Sequence, residues 1–167
     1  MITLSDFDPE IVARYRITPR RLEQALRYVR LMGEWGRLTL RDIAVGGYYG
    51  TAALLHEIVE LDALLSRDRQ LLGRSARQVR LFLNQNPDAH VQALIAEYTY
   101  LRRKIRQVFG QDVPIGALVQ VNASRSDVEW LIESDAEVPV WEPTAHDLKS
   151  AARWLSRLRE LGKEMPR

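Results

Sequence analysis

The sequence feature that most constrains the fold is a helix predicted over residues 51–66, TAALLHEIVELDALLS. At about 100° per residue its aliphatic side chains point in almost every direction, which is typical of a helix buried on all sides. His56, Glu57 and Glu60 nevertheless share one sector of this helix. Neither glutamate has a lysine or arginine three or four residues away, although the chain contains 24 Lys and Arg residues in total. Burying a carboxylate is costly unless it is paired or binds a metal, so both must find a partner elsewhere.

The composition is that of an ordinary globular protein. Its 167 residues suit one domain, and the charged fraction of 28% and hydrophobic fraction of 46% are typical of soluble chains. No apolar run approaches the roughly 20 residues of a membrane span, and the N-terminus lacks a signal-peptide pattern. The absence of cysteine excludes disulfides, thiolate metal sites and thiol nucleophiles. These observations predict a cytoplasmic protein with no membrane partner.

Helical periodicity and capping residues predict a mostly α fold, a single-domain bundle of five to seven helices. The predicted helical segments are 8–16, 19–34, 51–66, 75–83, 87–109, 126–133 and 144–161. Residues 37–45 are ambiguous between a strand end and a short helix, and the glycine-rich residues 46–50 are predicted as a turn. Residues 113–121 and 137–141 are candidate strands, which could pair as one small β-hairpin.

A second helix carries the same residue types as the central one. His90 lies in the first turn of the predicted helix 87–109, and Glu97 follows seven residues later, about 20° away around the helix axis. Glu97 also has no lysine or arginine three or four residues away. If the two helices are antiparallel neighbours, the two histidines converge with Glu60 and Glu97. Two histidines with one or two carboxylates are a common set for zinc with an open coordination position, and they also suit non-haem iron, so the sequence predicts a metal site with zinc ahead of iron.

Residues 55–60, LHEIVE, resemble the metal-binding helix of the zincin metallopeptidases. In that family two histidines of a His-Glu-x-x-His motif bind zinc and the glutamate is the general base. The resemblance implies that His56 is a ligand and that Glu57 activates a zinc-bound water. Glu60 stands where the family has its second histidine, and with His90 it restores a set of two histidines and one glutamate. The resemblance covers these residues only, and it implies a zinc-dependent hydrolase.

The same residues also fit a purely structural role. A histidine on a buried helix can be hydrogen-bonded within the core, with Glu57, Glu60 and Glu97 paired to arginines of other helices. Under this alternative the chain is a non-enzymatic interaction or oligomerisation module, such as a homodimer. His146, at the start of the last predicted helix, has no acidic neighbours of this kind and is expected at the surface. The sequence names no substrate under either interpretation, neither a small molecule nor a peptide.

Arginine-rich stretches near the N-terminus and after the central helix are the remaining candidate for a binding surface. The clustered arginines are Arg14, Arg16, Arg20, Arg21, Arg27, Arg30, Arg67, Arg69, Arg74, Arg77 and Arg80. Such a surface can bind a phosphate backbone. The net charge is only +2, however, because acidic residues are nearly as numerous. We therefore expect solvated helix faces with ion pairs rather than a nucleic-acid partner.

Overall fold

The computed structural model describes residues 1–134 and 142–164, and in these ranges the chain forms helices and no strands. The helices in the described part are α1 Pro9–Tyr15, α2 Pro19–Leu31, α3 Arg37–Val45, α4 Gly47–Leu65, α5 Ala76–Gln85, α6 Pro87–Phe109, α7 Ile115–Asn122, α8 Arg125–Glu133 and α9 Ala145–Glu164. Single 3₁₀ turns occur at Leu4–Asp6, Gly33–Gly36 and Leu71–Gly73. The predicted mostly α class is confirmed. The predicted number of helices is too low, and the described residues contain no hairpin.

Helix α4 lies at the centre of the bundle. It packs against α6, α2, α3 and α9. Leu54, Leu55 and Leu64 on this helix are all 0% exposed. Burying one leucine stabilises a fold by about 1.5–3 kcal/mol, so the apolar surface of α4 holds its neighbours together. The predicted burial of this helix is confirmed for most of its length, and Asp62 is its one exposed residue between Thr51 and Leu65.

Glycines at the start of α4 let other helices approach closely. Gly46 and Gly47 adopt φ values of +77° and +65°. A Cβ atom on Gly47 would lie 2.5 Å from the Cα of Gly162 in α9, and one on Gly50 would lie 2.7 Å from the carbonyl oxygen of Asp42 in α3. Only glycine tolerates these approaches. The predicted turn at 46–50 is therefore wrong, since the chain passes from α3 into α4 at Gly46 and is helical from Gly47.

The predicted strand at 113–121 is also wrong, because this stretch forms helix α7. Pro114 precedes the helix in an extended conformation, and proline is well suited to the start of a helix. Gly116 and the three residues after it are buried, and α7 packs against α9 and α6. A short apolar run is compatible with a strand or a buried helix, and here packing decides. The predicted partner strand at 137–141 lies outside the described residues.

Several helix boundaries differ from the predicted ones. The ambiguous residues 37–45 form helix α3. Helix α8 begins at Arg125 rather than 126, because Ser124 is its N-cap and accepts a hydrogen bond from the backbone N–H of Asp127. Helix α2 ends at Leu31, before the predicted residue 34. These corrections matter for the site below, since α3 and α8 both face it.

Helix α6 is confirmed as predicted, from Pro87 to Phe109. Gly110 ends it in the left-handed conformation, with φ +65°. No helix within residues 1–134 and 142–164 combines the length and apolarity needed to cross a bilayer.

Candidate metal centre

Helices α4 and α6 bring together the four residues that the sequence predicts to converge. The ring Nδ1 of His56 lies 2.8 Å from Oε2 of Glu97, and Nδ1 of His90 lies 2.6 Å from Oε2 of Glu60. Residue numbers rise along one helix as they fall along the other, so the helices are antiparallel in this region. His56 and Glu60 are four residues apart and therefore lie on one face of α4.

Three of these residues form a compact donor set. His56, Glu60 and His90 each offer one ligand atom, and these atoms all lie within 4.8 Å of one another. Nε2 of His56 is 3.4 Å from Oε2 of Glu60. Zinc binds histidine and carboxylate at about 2.0–2.2 Å, so ligand atoms around one tetrahedral ion are roughly 3.4 Å apart. The donor set matches that spacing after movements of less than about 1 Å.

Each histidine has its second ring nitrogen held by a carboxylate from another helix. Glu97 holds Nδ1 of His56, and Oδ1 of Asp127 in α8 lies 2.7 Å from Nε2 of His90. In the neutral form that binds a metal, with the protons on these nitrogens, Nε2 of His56 and Nδ1 of His90 would direct their lone pairs toward an ion held beside Glu60. Carboxylates placed this way fix the tautomer and the ring orientation of metal-binding histidines. The geometry thus favours Glu97 as a partner of His56 over a fourth ligand.

Glu60 is the most deeply buried acidic residue of the group, at 3% exposure. The hydroxyl of Tyr28 in α2 donates to its Oε1 at 2.5 Å, while Oε2 faces the histidines. Burial alone would raise the pKa of Glu60, but hydrogen bonds to His56 and His90 outweigh it and hold the pKa well below its usual range. Glu60 is therefore an ionised acceptor set in the core.

The histidines attract positive charge. Burial favours the neutral imidazole, yet hydrogen bonds to Asp127 and Glu60 raise the pKa of His90 to about 9. The pKa of His56 is also raised well above its usual value, against burial, by its hydrogen bonds to Glu60 and Glu97. A proton and a metal ion compete for the same lone pair, so a metal ion bound here would have to displace these protons, and its affinity would depend on pH.

Glu57 differs from the other carboxylates of the group. It is 8% exposed, and within the described ranges it forms no hydrogen bond and no ion pair. Burial, followed by the charge of Glu60, raises its pKa to about 8. Its side chain lines a cavity of about 400 Å³ that also contains the ligand atoms of His56 and His90. A carboxylate in this position can exchange a proton with a molecule in the cavity at near-neutral pH.

These residues are called the histidine cluster below: His56, Glu57, Glu60, His90, Glu97 and Asp127. Two contributions to the site were not predicted from the sequence. One is Asp127, and the other is the hydroxyl of Tyr28, which donates to Glu60. Asp127 was interpreted only as part of a helix start, and no local pattern connects it to His90. The one feature near Asp127 that relates to the cluster is Trp130, three residues later on the same helix face. Its ring meets that of His90 edge-on, with 4.9 Å between the ring centres.

The structural alternative is met in part: the histidines are hydrogen-bonded to carboxylates, as it requires, but its buried glutamate–arginine pairs are not found in the described ranges. Glu60 contacts histidine and tyrosine, and Glu97 contacts histidine. The arginines pair instead with carboxylates near the surface, for example Arg67 with Asp88. His146 is exposed, as expected.

The cluster was also considered beside known proteins. Comparisons of the chain with family models, with curated proteins and with solved structures found no match. Its function is therefore argued from the geometry of the histidine cluster alone.

Proposed function

We propose that this protein binds a divalent metal ion, zinc ahead of iron, through His56, Glu60 and His90, and uses it in a hydrolytic reaction. One observation carries the proposal. Three donor atoms, from buried His56 and Glu60 and half-buried His90, lie within 4.8 Å of one another, and both imidazoles are hydrogen-bonded to carboxylates of other helices. Two histidines and one carboxylate leave a coordination position open, which is the arrangement of catalytic rather than structural zinc.

The chain's own residues have distinct roles in this proposal. Zinc, when bound, supplies a Lewis acid that polarises a substrate carbonyl or a water molecule. Glu57, which lines the cavity and has no partner in the described part of the chain, accepts the proton of the attacking water. Glu97 and Asp127 hold the imidazoles in place. These roles resemble those in the zincins, except that Glu60 stands at the position of the second histidine on α4 and the second histidine, His90, comes from α6.

Metal analysis tests the binding step. We expect the purified protein to retain about one zinc per chain after passage over a weak chelator, with iron measured in parallel. His56→Ala removes a ligand and should abolish retention. His146→Ala is the matched control, because His146 is an exposed histidine of α9, and it should retain the metal. Equal retention by both variants, or none by the wild type, would refute the site.

Hydrolysis of p-nitrophenyl acetate, a generic activated ester, tests the catalytic step. Glu57→Gln should still retain zinc while losing about 100-fold or more of the zinc-dependent rate, the usual effect of a general base. Glu34→Gln changes an exposed glutamate outside the cavity lining and should leave the rate unchanged. A Glu57→Gln variant that hydrolyses the ester at the wild-type rate would show that Glu57 is not the base.

A further inference from the structure

The cavity beside the histidine cluster is rich in carboxylates. Five carboxylates line it, those of Asp42, Glu57, Glu60, Glu97 and Asp127, and its lining contains no lysine or arginine. One divalent ion compensates only part of this charge. A site for a phosphate or carboxylate substrate normally supplies arginine, lysine or a helix N-terminus to receive the anion.

Two of the five carboxylates are left without a partner. Glu60, Glu97 and Asp127 are bonded to the imidazoles. The carboxylates of Glu57 and Asp42 form no hydrogen bond and no ion pair in the described ranges. Glu57 is only 8% exposed. The Glu57 carboxyl lines the cavity and the Asp42 side chain is exposed. When ionised, both would attract a positively charged occupant of the cavity.

Helix α3 forms the wall opposite the cluster and combines apolar and acidic groups. Leu38 and Asp42 are four residues apart, so both lie on the face of α3 that lines the cavity. Val29 of α2, Met32 directly after that helix and Leu83 of α5 are apolar and also line the cavity. Leu38 is 66% exposed, which places this region where the cavity opens to solvent.

Trp35 also lines the cavity, and its ring already meets a cation. The guanidinium of Arg80, which is outside the lining, lies 5.7 Å from the centre of the Trp35 ring. Indole faces attract positive charge through their quadrupole. Because Arg80 already occupies this ring, the cavity entrance offers aliphatic side chains and the exposed carboxylate of Asp42 to a further cation.

Building on the function proposed above, we propose that the ligand processed at this site is a small organic cation, an ammonium-type group on an apolar body. The charged group pairs with Asp42, and the apolar body packs between Leu38 and Met32. The remainder of the molecule then reaches the metal and Glu57. The volume of about 400 Å³ suits a small molecule of this kind.

A pair of probes that differ only in charge tests this inference. Choline and 3,3-dimethylbutan-1-ol have the same shape, and a quaternary ammonium cannot coordinate zinc. We expect calorimetric titration of the zinc-loaded protein to give about two- to fivefold tighter binding of choline, the effect of one charge pair near the surface. Asp42→Asn should remove this preference. Glu34→Gln, a nearby exposed glutamate outside the lining, should preserve it.

Equal binding of the two probes, tighter binding of the alcohol, or no binding of either at millimolar concentration would overturn the inference. A preference for choline that survives in Asp42→Asn would also overturn it. Zinc content is measured on the same samples, which separates this inference from the proposed function. Zinc retention without a choline preference refutes the ligand class alone. A choline preference that Asp42→Asn removes, in a protein that retains no zinc, refutes the metal-dependent reaction alone.

Discussion

Helix α6 contributes residues to two polar clusters, and the two differ in how their charges are compensated. Toward its N-terminal end, His90 and Glu97 belong to the histidine cluster, in which four carboxylates face two imidazoles. Toward its C-terminal end, Lys104 is 7% exposed and donates to Oδ1 of Asp8 at 2.7 Å and to Gln107 at 3.1 Å. We call this second group, with the rings of Tyr48 and Tyr100 beside Lys104, the lysine cluster.

The two clusters differ in where the compensating positive charge comes from. In the lysine cluster the chain itself supplies the cation that its buried carboxylate needs. In the histidine cluster the chain supplies carboxylates in excess and leaves one of them, Glu57, unpartnered in the described ranges. Lys104 compensates the charge of Asp8 within the chain, while Oδ2 of Asp8 and the hydroxyl of Tyr100 are buried without a hydrogen-bond partner in the described residues. In the histidine cluster, the metal ion proposed above would compensate the excess negative charge.

The strongest test of this contrast is Glu60→Gln. The amide preserves shape and can still accept from Tyr28, but it loses the charge that binds a metal. We expect zinc affinity to fall by more than about 100-fold, because loss of an outer-shell partner alone costs about 10–100-fold. Competition with a chromophoric chelator measures it. Stoichiometric, tight zinc binding by this variant would contradict the proposed ligand set.

Zinc should stabilise the folded protein. At a free zinc concentration about 100 times the dissociation constant, the stabilisation is about 2.7 kcal/mol, which raises Tm by about 5–11 °C for a chain of this size. EDTA should reverse the shift. A wild-type melting temperature unaffected by zinc and EDTA would show that the histidine cluster, like the lysine cluster, is complete without a metal.

The carboxylates that are hydrogen-bonded to the histidines should affect the affinity for zinc. Asp127→Asn leaves a hydrogen-bonding group near Nε2 of His90 but removes its charge, so zinc affinity should fall by about 10–100-fold without loss of helical circular dichroism. Glu129→Gln is the control, because Glu129 is on the same helix and pairs with Arg125 at the surface. Equal zinc affinity in both variants would argue against a role for Asp127.

A mutation in the lysine cluster should lower the free energy of unfolding, and the loss should not depend on zinc. Lys104→Met keeps the apolar length of the side chain but leaves the half-buried Asp8 without its main partner. We expect a loss of about 2 kcal/mol in the free energy of unfolding, equal with and without zinc. Urea titrations under both conditions measure it. A loss that zinc repairs would show that the two clusters are coupled.

Rising pH should weaken the metal-free protein. The folded-state pKa of His90 is about 9 against a usual 6.5, so the folded chain holds more protons than the unfolded chain between these values. This stabilisation is complete below pH 6.5 and is lost as pH rises through about 9, and the raised pKa of Glu57 acts in the same direction. Zinc replaces the protons, so the zinc-loaded protein should decline less. Urea unfolding from about pH 6 to about pH 9 checks this; a metal-free protein that gained stability over this range would contradict it.

The sequence predicted the central part of the site because its signals are local. Helical spacing placed His56 and Glu60 on one face, and the missing cations around Glu57, Glu60 and Glu97 marked carboxylates that need distant partners. Which residues fulfil that need was not readable, because Tyr28 and Asp127 reach the cluster from helices 30 or more positions away. Their positions depend on how α2 and α8 dock against α6 and α4.

The stretch at 113–121 shows the same limit for the fold. Its apolar residues fit both a strand and a buried helix, and contacts with α9 and α6 select the helix. Zinc binding, a substrate, oligomerisation and a cytoplasmic location stay predictions.

The sequence by itself determined that α4 is buried and that it takes acidic groups into the core, since both follow from residue order within a few helical turns. Only the tertiary structure decided that these groups meet two histidines, rather than arginines, around a common point. The physical reason is range: periodicity and capping act over neighbouring turns, whereas the charge balance of a buried site is set by side chains that folding brings together from distant helices.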